Sequence, residues 1–470
     1  MGRKKDKPQI ADIEITGVAA EGNAIARHDD KVIFIPYGAP GDIVDIQVDK
    51  KRHSFLMAHI IKYKQLSPLR VKPLCSHFGI CGGCKWQHVP YEYQLGFKRQ
   101  QVIDNLQRIA KVPFPDVKEC MGSSDEWAYR NKVEYTFSNR RWLTYEQIAS
   151  PDIVLDRDGA GFHIPGSFDK VLDIDYCYLV DDFSNRIRNF VKYLGLQNNW
   201  SFYDLKNQCG FLRTIMVRTF TTGQSLVVIS VGDNDREKID FLMNAVSSEF
   251  PSITSLSYTV NKKVNDSLQD LDIITWKGFP YAEERLGGLV FRISPKSFYQ
   301  TNSRQATVLY GVVSKMADLH GEELVYDLYT GTGTIANYLA PLCKKVIGIE
   351  YVKEAIDDAW LNSELNGIKN TVFYAGDMKD VLTDAFVMHN GRPDVIVVDP
   401  PRAGMHNDVV TVILNAAPKK IVYVSCNPAT QARDVALLSE KYEIAEVQPV
   451  DMFPHTHHVE NVICLSLKSL

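Results

Sequence analysis

The stretch Asp327-Leu-Tyr-Thr-Gly-Thr-Gly-Thr334 decides the fold, because it follows a short apolar run and precedes a helical pattern. Gly331 and Gly333 allow the backbone to pass close to a ligand where a Cβ atom would collide with it. From this stretch onward, continuous apolar runs alternate with helical patterns, which is typical of a parallel sheet covered on both faces. The runs are Leu324–Leu328, Val346–Ile349, Thr371–Tyr374, Val395–Val398 and Lys420–Val424.

This alternation predicts an α/β domain of the Rossmann type, in which ligands bind at the carboxyl ends of the strands. Glu350 ends the second strand, twenty-three residues after Asp327, where a carboxylate can accept hydrogen bonds from ribose hydroxyls. The pattern up to this point suits either an NAD domain or an S-adenosylmethionine domain. A tight turn without a ligand is a third reading.

Features further along the chain favour S-adenosylmethionine. The fourth strand ends in Asp399-Pro-Pro-Arg-Ala-Gly404, and the two prolines stiffen a pocket wall that suits a flat substrate rather than a second nucleotide. Asp377 follows the third strand, where it is placed to meet an adenine amino group. The runs Ile444–Val450 and Val459–Leu467 have no obvious helix between them and predict an antiparallel hairpin at the sheet edge.

Cys426 ends the fifth strand in a polar Ser-Cys-Asn-Pro sequence, which predicts a thiol at the rim of the ligand crevice rather than a core cysteine. Beside a methyl donor, a thiolate can add to C6 of uracil and make C5 nucleophilic, and a base must then remove the C5 proton. Glu460, just before the last strand, is the candidate base, although alone it would suggest an exposed carboxylate. Nearby histidines are predicted to line the pocket rather than to bind a metal: His455, His457 and His458.

Three cysteines lie close together in a loop, as Cys75-x5-Cys81-Gly-Gly-Cys84. Zinc motifs usually pair two short cysteine spacings, whereas iron–sulfur clusters commonly take three clustered cysteines and a distant fourth. Cys177, which follows a strand-like run, is better placed as the fourth ligand than Cys120 or Cys209. The spacing therefore favours an iron–sulfur cluster, with zinc or unligated thiols as alternatives.

The basic side chains are unevenly distributed. The whole chain of 470 residues has a net charge of −4, yet residues 50–111 hold twelve basic and two acidic side chains. Such a block is the electrostatic signature of a nucleic-acid partner, although a solvated surface would show it too. Residues 10–65 contain several short strands separated by turns, which favours a small OB-type barrel. Helical spacing at 91–110 places Lys98 on the helix surface, and we expect exposed aromatic rings to stack on bases: Phe78, Trp86 and Tyr91.

Together these motifs resemble the RNA uracil-5-methyltransferase family, over almost the whole chain. The resemblance implies that Cys426 is the nucleophile, that Glu460 in Phe453-Pro-His-Thr-x-His-x-Glu is the base, and that residues 10–65 form a TRAM domain. In Ser297-Phe-Tyr-Gln-Thr-Asn302 it implies that Gln300 contacts S-adenosylmethionine. Other implied cofactor-site residues are Tyr329, Glu350 and Asp399. The implied ligands of a 4Fe-4S cluster are Cys75, Cys81, Cys84 and Cys177.

The family's architecture implies three parts. These are an N-terminal TRAM domain (1–67), a mixed α+β central domain (68–90 and 121–290) and a Rossmann-like methyltransferase domain (91–120 and 291–470). The combination of the cluster and the TRAM domain resembles the branch that acts on 23S ribosomal RNA, with a transfer-RNA enzyme of similar parts as the alternative. One departure is Thr330, where many relatives have cysteine.

Composition narrows the class of protein. Apolar residues make up 45% and charged residues 23%, as in ordinary globular proteins, and no apolar run reaches the roughly 18 residues of a membrane span. The basic N-terminus lacks the apolar core of a secretion signal, so we expect a cytoplasmic protein with no membrane contact and no obligate protein partner. The rival functions are an NAD-dependent oxidoreductase, a non-catalytic RNA-binding protein and a methyltransferase acting on DNA.

Overall fold

A computed structural model describes residues 8–149 and 157–469 of the chain. Within these ranges the strands form four sheets: a six-stranded N-terminal sheet, a seven-stranded central sheet, a two-stranded hairpin and a seven-stranded C-terminal sheet. No helix in the described ranges has the length and apolar character needed to cross a membrane.

The N-terminal sheet forms a small barrel with its own apolar core, which includes Ile33, Ile35 and Val44. Alternate residues of its strands point inward, as the sequence pattern predicts for strands that are buried on one face. The sheet order is β1-β5-β6-β4-β3-β2. The strands are β1 (Gln9–Glu14), β2 (Gly17–Val18), β3 (Ala24–His28), β4 (Lys31–Ile35), β5 (Ile43–Lys51) and β6 (Phe55–Gln65).

A long loop with the three clustered cysteines leads from the barrel to helix α1 (Tyr91–Asn105), which ends in a π-helical turn, Leu106–Ala110. The apolar side chains of Val102 and Leu106 join the core of the C-terminal sheet, so α1 packs there rather than on the central sheet. The prediction that Lys98 lies on the helix surface is wrong. Its side chain is completely buried, because it forms an ion pair with Asp451.

The central sheet has the order β13-β12-β11-β10-β7-β8-β9 and is antiparallel except where β11 and β12 pair. Helices α3 and α4 pack against each other beside it, and their apolar faces complete its core. The elements are β7 (Lys132–Ser138), α2 (Tyr145–Ala149), β8 (Gly159–Ile164), β9 (Ser167–Asp173), α3 (Asp182–Gln197), β10 (Leu212–Thr219), β11 (Ser225–Val231), α4 (Arg236–Glu249), β12 (Ser255–Val260) and β13 (Ile274–Gly278).

The hairpin of β14 (Ala282–Leu286) and β15 (Leu289–Ile293) connects the two larger sheets. Its apolar side chains, including Phe291, join the same core as helix α5 (Ser303–Ala317) and the C-terminal sheet. The boundary that we placed between residues 290 and 291 falls inside β15.

The C-terminal sheet has the order β18-β17-β16-β19-β20-β22-β21. The five strands from β18 to β20 are parallel, and β22 runs antiparallel between β20 and β21, which confirms the predicted α/β class and terminal hairpin. The remaining elements are β16 (Leu324–Leu328), α6 (Thr334–Leu339), β17 (Lys345–Glu350), α7 (Lys353–Leu365), β18 (Thr371–Ala375), α8 (Met378–Val381), α9 (Asp384–Asn390), β19 (Val395–Val398), α10 (Asn407–Ala416), β20 (Lys420–Ser425), α11 (Pro428–Leu438), β21 (Tyr442–Val450) and β22 (Glu460–Leu467).

The strand order reverses at β16, which lies between β17 and β19. In open α/β sheets the crevice beyond the carboxyl ends of the strands at such a switch point is where ligands bind. The stretch that begins at Asp327 leaves the sheet at this point.

Candidate active site

A cavity of about 1290 Å³ lies over the carboxyl edge of the C-terminal sheet and extends to the cysteine loop. It is lined by all but one of the residues predicted to be catalytic, to bind the methyl donor or to hold the cluster. At the sheet end these are Gln300, Tyr329, Glu350, Asp399, Cys426 and Glu460, and at the loop end Cys75, Cys81, Cys84 and Cys177.

The exception is Asp377, which lines a smaller cavity of about 200 Å³. Tyr329 and Tyr351 line both cavities, so the small one adjoins the large one at the end of β16. Asp377 also caps α8, since its Oδ1 accepts a hydrogen bond from the amide of Lys379 (3.2 Å). The small cavity can hold one end of an elongated ligand whose other end lies in the large cavity.

The turn after β16 is built for close approach to a ligand. Tyr329 adopts a left-handed φ of +65°, which is costly for a residue with a side chain, and Gly331 and Gly333 also have positive φ. A Cβ atom on Gly333 would lie 2.8 Å from the Cβ of Ala359, so packing against α7 requires glycine there. A Cβ atom on Gly331 would have no neighbour within 4 Å, and the space beside it belongs to the cavity.

Glu350 is oriented by two backbone amides. Its Oε2 accepts from Gly331 (3.2 Å) and its Oε1 from Val352 (3.0 Å). These bonds hold the carboxylate at the rim of the turn, where it faces the cavity. Thr330, the departure noted in the sequence, donates to the buried Asp327 under the same turn (2.5 Å) and does not line the cavity.

The segment that carries Gln300 is fixed from three sides. The guanidinium of Arg218, on β10, donates to the carbonyl of Ser297 (2.6 Å), and Asn131 donates to the carbonyl of Gln300 (3.0 Å). Asn302 caps α5 and donates to the carbonyl of Met452 (3.0 Å). Gln300 is therefore held at the junction of the central and C-terminal sheets.

Cys426 and Glu460 meet because β20 and β22 are antiparallel neighbours. Ser425 pairs with Asn461 at the end of the ladder, and Cys426 and Glu460 are the residues next to this last pair. Both line the cavity, with the thiol half-buried and the carboxyl buried.

The electrostatics of this pair reflect burial. Burial and the neighbouring carboxylate of Asp399 raise the pKa of Glu460 to about 8, while the guanidinium of Arg402 opposes the rise. Burial also raises the pKa of Asp399 to about 7. The pKa of Cys426 is raised to about 11, first by burial and then by the charges of Glu460 and Asp399. A cation in the cavity would favour the ionised form of all three groups.

Arg402 lines the same cavity and was not among the site residues predicted from the sequence. Its guanidinium contacts the Cys426 thiol and lowers the thiol pKa against the effect of burial. Its carbonyl accepts from Asn427 Nδ2 (3.0 Å) and Thr430 Oγ1 (3.1 Å), which ties the loop after β19 to the start of α11. The sequence did contain a signal for this contact. Arg402 follows the end of β19 and Cys426 follows the end of β20, and the carboxyl ends of neighbouring parallel strands lie at the same edge of a sheet.

The four cysteines at the other end of the cavity influence one another. The pKa of Cys84 is raised to about 12 by burial and further by the three other thiols. The other two candidate fourth ligands lie elsewhere: Cys120 beside the Lys98–Asp451 pair and Cys209 exposed near Tyr203. In residues 8–149 and 157–469, no group of three or more His, Cys, Asp or Glu side chains could hold a metal ion.

Two of the three aromatic side chains expected to stack on bases form hydrogen bonds within the protein. Trp86 is 2% exposed and donates from Nε1 to the carbonyl of Gly22, and the hydroxyl of Tyr91 donates to Asp451. Trp86 therefore cannot stack on RNA, which corrects the prediction, whereas Phe78 does line the cavity. Of the three histidines only His458 lines it in the described parts of the chain.

Comparison with known proteins assigns the family. Residues 283–468 match the tRNA (Uracil-5-)-methyltransferase family and residues 6–61 match the TRAM domain. An uncharacterized RNA methyltransferase of Bacteroides thetaiotaomicron is 54% identical over 96% of this chain and its own full length. One of Porphyromonas gingivalis is 53% identical over 96% of this chain and 99% of its own.

The chain belongs to the tRNA (uracil-5-)-methyltransferase family. Among solved structures, the Pyrococcus abyssi tRNA (uracil-54, C5)-methyltransferase in complex with S-adenosyl-L-homocysteine is 30% identical, with a TM-score of 0.74 over 96% of this chain and all of that one. The predictions of an RNA methyltransferase, of an S-adenosylmethionine-dependent fold and of an N-terminal TRAM domain are thus confirmed.

In this member of the uracil-5-methyltransferase family, the matched range starts at β14 and ends after β22. It contains the hairpin, the turn after β16 and both Cys426 and Glu460. The matched range therefore holds the hairpin and the C-terminal sheet, whereas the cysteine loop and helix α1, which packs on that sheet, lie outside it.

Proposed function

We propose that this chain methylates C5 of a uridine in RNA, with Cys426 as the nucleophile and Glu460 as the base. The observation that carries the proposal is that both side chains stand next to the last pair of the β20–β22 ladder and line one cavity with the turn after β16. A thiol and a carboxyl in this arrangement can act on neighbouring atoms of one flat ring.

The sequence of bond changes follows from the residues. S-Adenosylmethionine supplies an electrophilic methyl group when it is bound. The Cys426 thiolate adds to C6 of the uracil, and the C5=C6 electron pair becomes available at C5 for attack on that methyl group. The C5–CH3 bond would form as the methyl–sulfur bond breaks, and the electron pair of that bond would leave with S-adenosyl-L-homocysteine. Glu460 then takes the C5 proton, the C5–H electron pair restores the double bond, and the C6–S bond breaks to release the thiolate. Arg402 favours the thiolate at the start and at the end of the cycle.

The donor site is proposed to consist of Gln300, Tyr329, Glu350, Asp377 and Asp399. Glu350 suits the ribose hydroxyls, because its two amide contacts leave acceptor capacity toward the cavity. Asp377 suits the adenine amino group, because it lies in the adjoining small cavity. The S-adenosyl-L-homocysteine bound to the Pyrococcus abyssi neighbour, which is S-adenosylmethionine without its methyl group, supports S-adenosylmethionine over NAD.

We propose that the cysteine loop holds a 4Fe-4S cluster, with Cys75, Cys81, Cys84 and Cys177 as ligands. The fit rests on the donor set: four free thiols line one end of one cavity, and neighbouring thiols raise the pKa of Cys81, Cys84 and Cys177, although no single-ion site is found in the described ranges. A four-iron cluster is larger than one ion and takes four thiolates that stand farther apart. We assign the cluster a role in holding the loop's shape for RNA.

We propose large-subunit (23S) ribosomal RNA as the substrate and the cytoplasm as the compartment, where thiols stay reduced. Support comes from the TRAM match at residues 6–61 together with the cysteine set. Transfer RNA is the second candidate, favoured by the similarity to the Pyrococcus abyssi neighbour, which is a tRNA (uracil-54, C5)-methyltransferase.

The test is mass mapping of 5-methyluridine in ribosomal and transfer RNA from cells with and without the gene. Loss of a 5-methyluridine from 23S RNA alone supports the first candidate, and loss from transfer RNA alone supports the second. Unchanged 5-methyluridine in both RNAs, with no methyl transfer by the purified protein to either transcript, contradicts the proposed function.

A further inference from the structure

We propose that Gln94 and Lys98 of α1 are positioning residues for Glu460, which they control through the loop between β21 and β22. The inference rests on the proposed function, because it concerns the step in which Glu460 removes the C5 proton. Gln94 and Lys98 lie one helical turn apart on the same face of α1, and both side chains are completely buried.

Lys98 fixes the beginning of the loop. Its ammonium lies 2.5 Å from Oδ1 of Asp451 and donates to the carbonyl of Phe453 (3.1 Å). Asp451 in turn accepts from the amide of Phe453 (2.8 Å) and the hydroxyl of Tyr91 (2.9 Å). An ion pair with both partners out of water holds its geometry tightly, since separating them would leave a buried charge.

Gln94 fixes the middle of the loop. Its Oε1 accepts from the amide of His455 (2.8 Å), and its Nε2 lies 3.2 Å from Nδ1 of the same residue. Nε2 also donates to the carbonyls of Trp86 (3.1 Å) and Val89 (2.9 Å), at the end of the cysteine loop. His455 has a left-handed φ of +65° and its ring stacks on Trp127 at 3.9 Å.

These contacts set the position of the base. Glu460 is the first residue of β22, and the loop that precedes it is held by α1 at Asp451, Phe453 and His455. A general base must stand within hydrogen-bond reach of the proton that it removes, and a displacement of about 1 Å can cost about a hundredfold in rate. Cys426 is not part of this loop, because it directly follows β20. Loosening the loop therefore slows elimination more than thiolate addition.

The first test compares Gln94→Ala with Gln100→Ala, an exposed glutamine on the same helix. We expect Gln94→Ala to lower methylation turnover by about tenfold to a hundredfold. A covalent RNA–protein species should accumulate on denaturing gels, because the adduct forms but leaves slowly, and Gln100→Ala should match the wild type in both measurements. Equal turnover in the two variants, or a fall in turnover without adduct, overturns the proposal.

The second test is the double variant Lys98→Met/Asp451→Asn, which removes both charges and leaves no buried ion unpaired. It should show the same accumulation of adduct while its S-adenosyl-L-homocysteine affinity stays at the wild-type value. Wild-type elimination in this variant overturns a role for the pair. A failure of the proposed function would be seen in the wild-type protein itself, which would then form no adduct and transfer no methyl group. A failure of this inference would be seen only in the variants.

Discussion

Cys426 and Glu460 lie at the open end of the ladder between β20 and β22, each next to the last pair, Ser425 with Asn461. They come from two different strand ends and face one cavity. The arrangement places a thiol and a carboxyl, the proposed nucleophile and base, at the same edge of the sheet. A planar ring that enters the cavity can thus be attacked and deprotonated without moving between sites.

Replacing the nucleophile separates chemistry from donor binding. We expect Cys426→Ala to abolish methyl transfer, because no other group can activate C5, while its affinity for S-adenosyl-L-homocysteine stays unchanged. Single-turnover methyl transfer and calorimetric binding measure the two properties. Cys209→Ala, which removes an exposed thiol, is the control and should behave as the wild type. Methyl transfer near the wild-type rate in Cys426→Ala would exclude the thiol mechanism.

Replacing the base should stop the reaction one step later. Glu460→Gln keeps the shape of the side chain but cannot accept the C5 proton, so the methylated adduct forms and persists. A denaturing gel with labelled RNA should show a stable RNA–protein species. Glu443→Gln, an exposed carboxylate on the neighbouring strand, should show none above the wild-type level. The absence of such a species in Glu460→Gln would count against Glu460 as the base.

The buried carboxyls predict how stability depends on pH. Burial raises the pKa of Asp327 and Asp399 to about 7 and that of Glu460 to about 8. The folded state then binds more protons than the unfolded state, so the free energy of unfolding falls as pH rises through 7 and 8. The pKa of His455 is lowered to about 4, and that of His458 to about 3, so these histidines reduce stability only as pH falls below about 6.5.

Urea unfolding of the ligand-free protein between pH 6.5 and 9 measures this dependence. The Asp399→Asn variant should show a shallower decline than the wild type, because one of the three ionisations is removed. A free energy of unfolding that rises with pH over this interval would contradict the buried carboxyls.

The small cavity predicts a role in donor affinity. We expect Asp377→Asn to weaken S-adenosyl-L-homocysteine binding by about tenfold to a hundredfold, because a hydrogen bond to a charged acceptor contributes about 1.5–3 kcal/mol. Asparagine keeps the oxygen that caps α8, so the helix start is preserved. Asp380→Asn, an exposed carboxyl three residues away, is the matched control. Equal affinities in the two variants would remove Asp377 from the donor site.

The cysteine set predicts cofactor content. Protein purified without oxygen should contain iron and acid-labile sulfide, Cys177→Ser should lose both, and Cys209→Ser should keep them. Loss of the cluster should lower the melting temperature and the RNA affinity, because the loop would no longer be tied to the segment before α3. If exposure to air removes the cluster while RNA affinity and turnover stay unchanged, the proposed structural role is wrong.

The sequence by itself determined the α/β class, the turn after β16 and the terminal hairpin. Each depends on a local pattern, since apolar runs, glycine spacing and strand ends are read within a few residues. It also indicated which side chains gather over the sheet, because parallel strands share one carboxyl edge.

Only the tertiary structure decided which surfaces were free. Lys98 is buried with Asp451, which lies 353 residues further along the chain, and Trp86 is buried where its indole N–H donates a hydrogen bond to the carbonyl of Gly22. The contact of Arg402 with Cys426 likewise depends on how two loops pack. The spacing of residues in a helix predicts which face a lysine lies on. It does not predict which side chains pack against that face, since burial depends on partners that are distant in the chain.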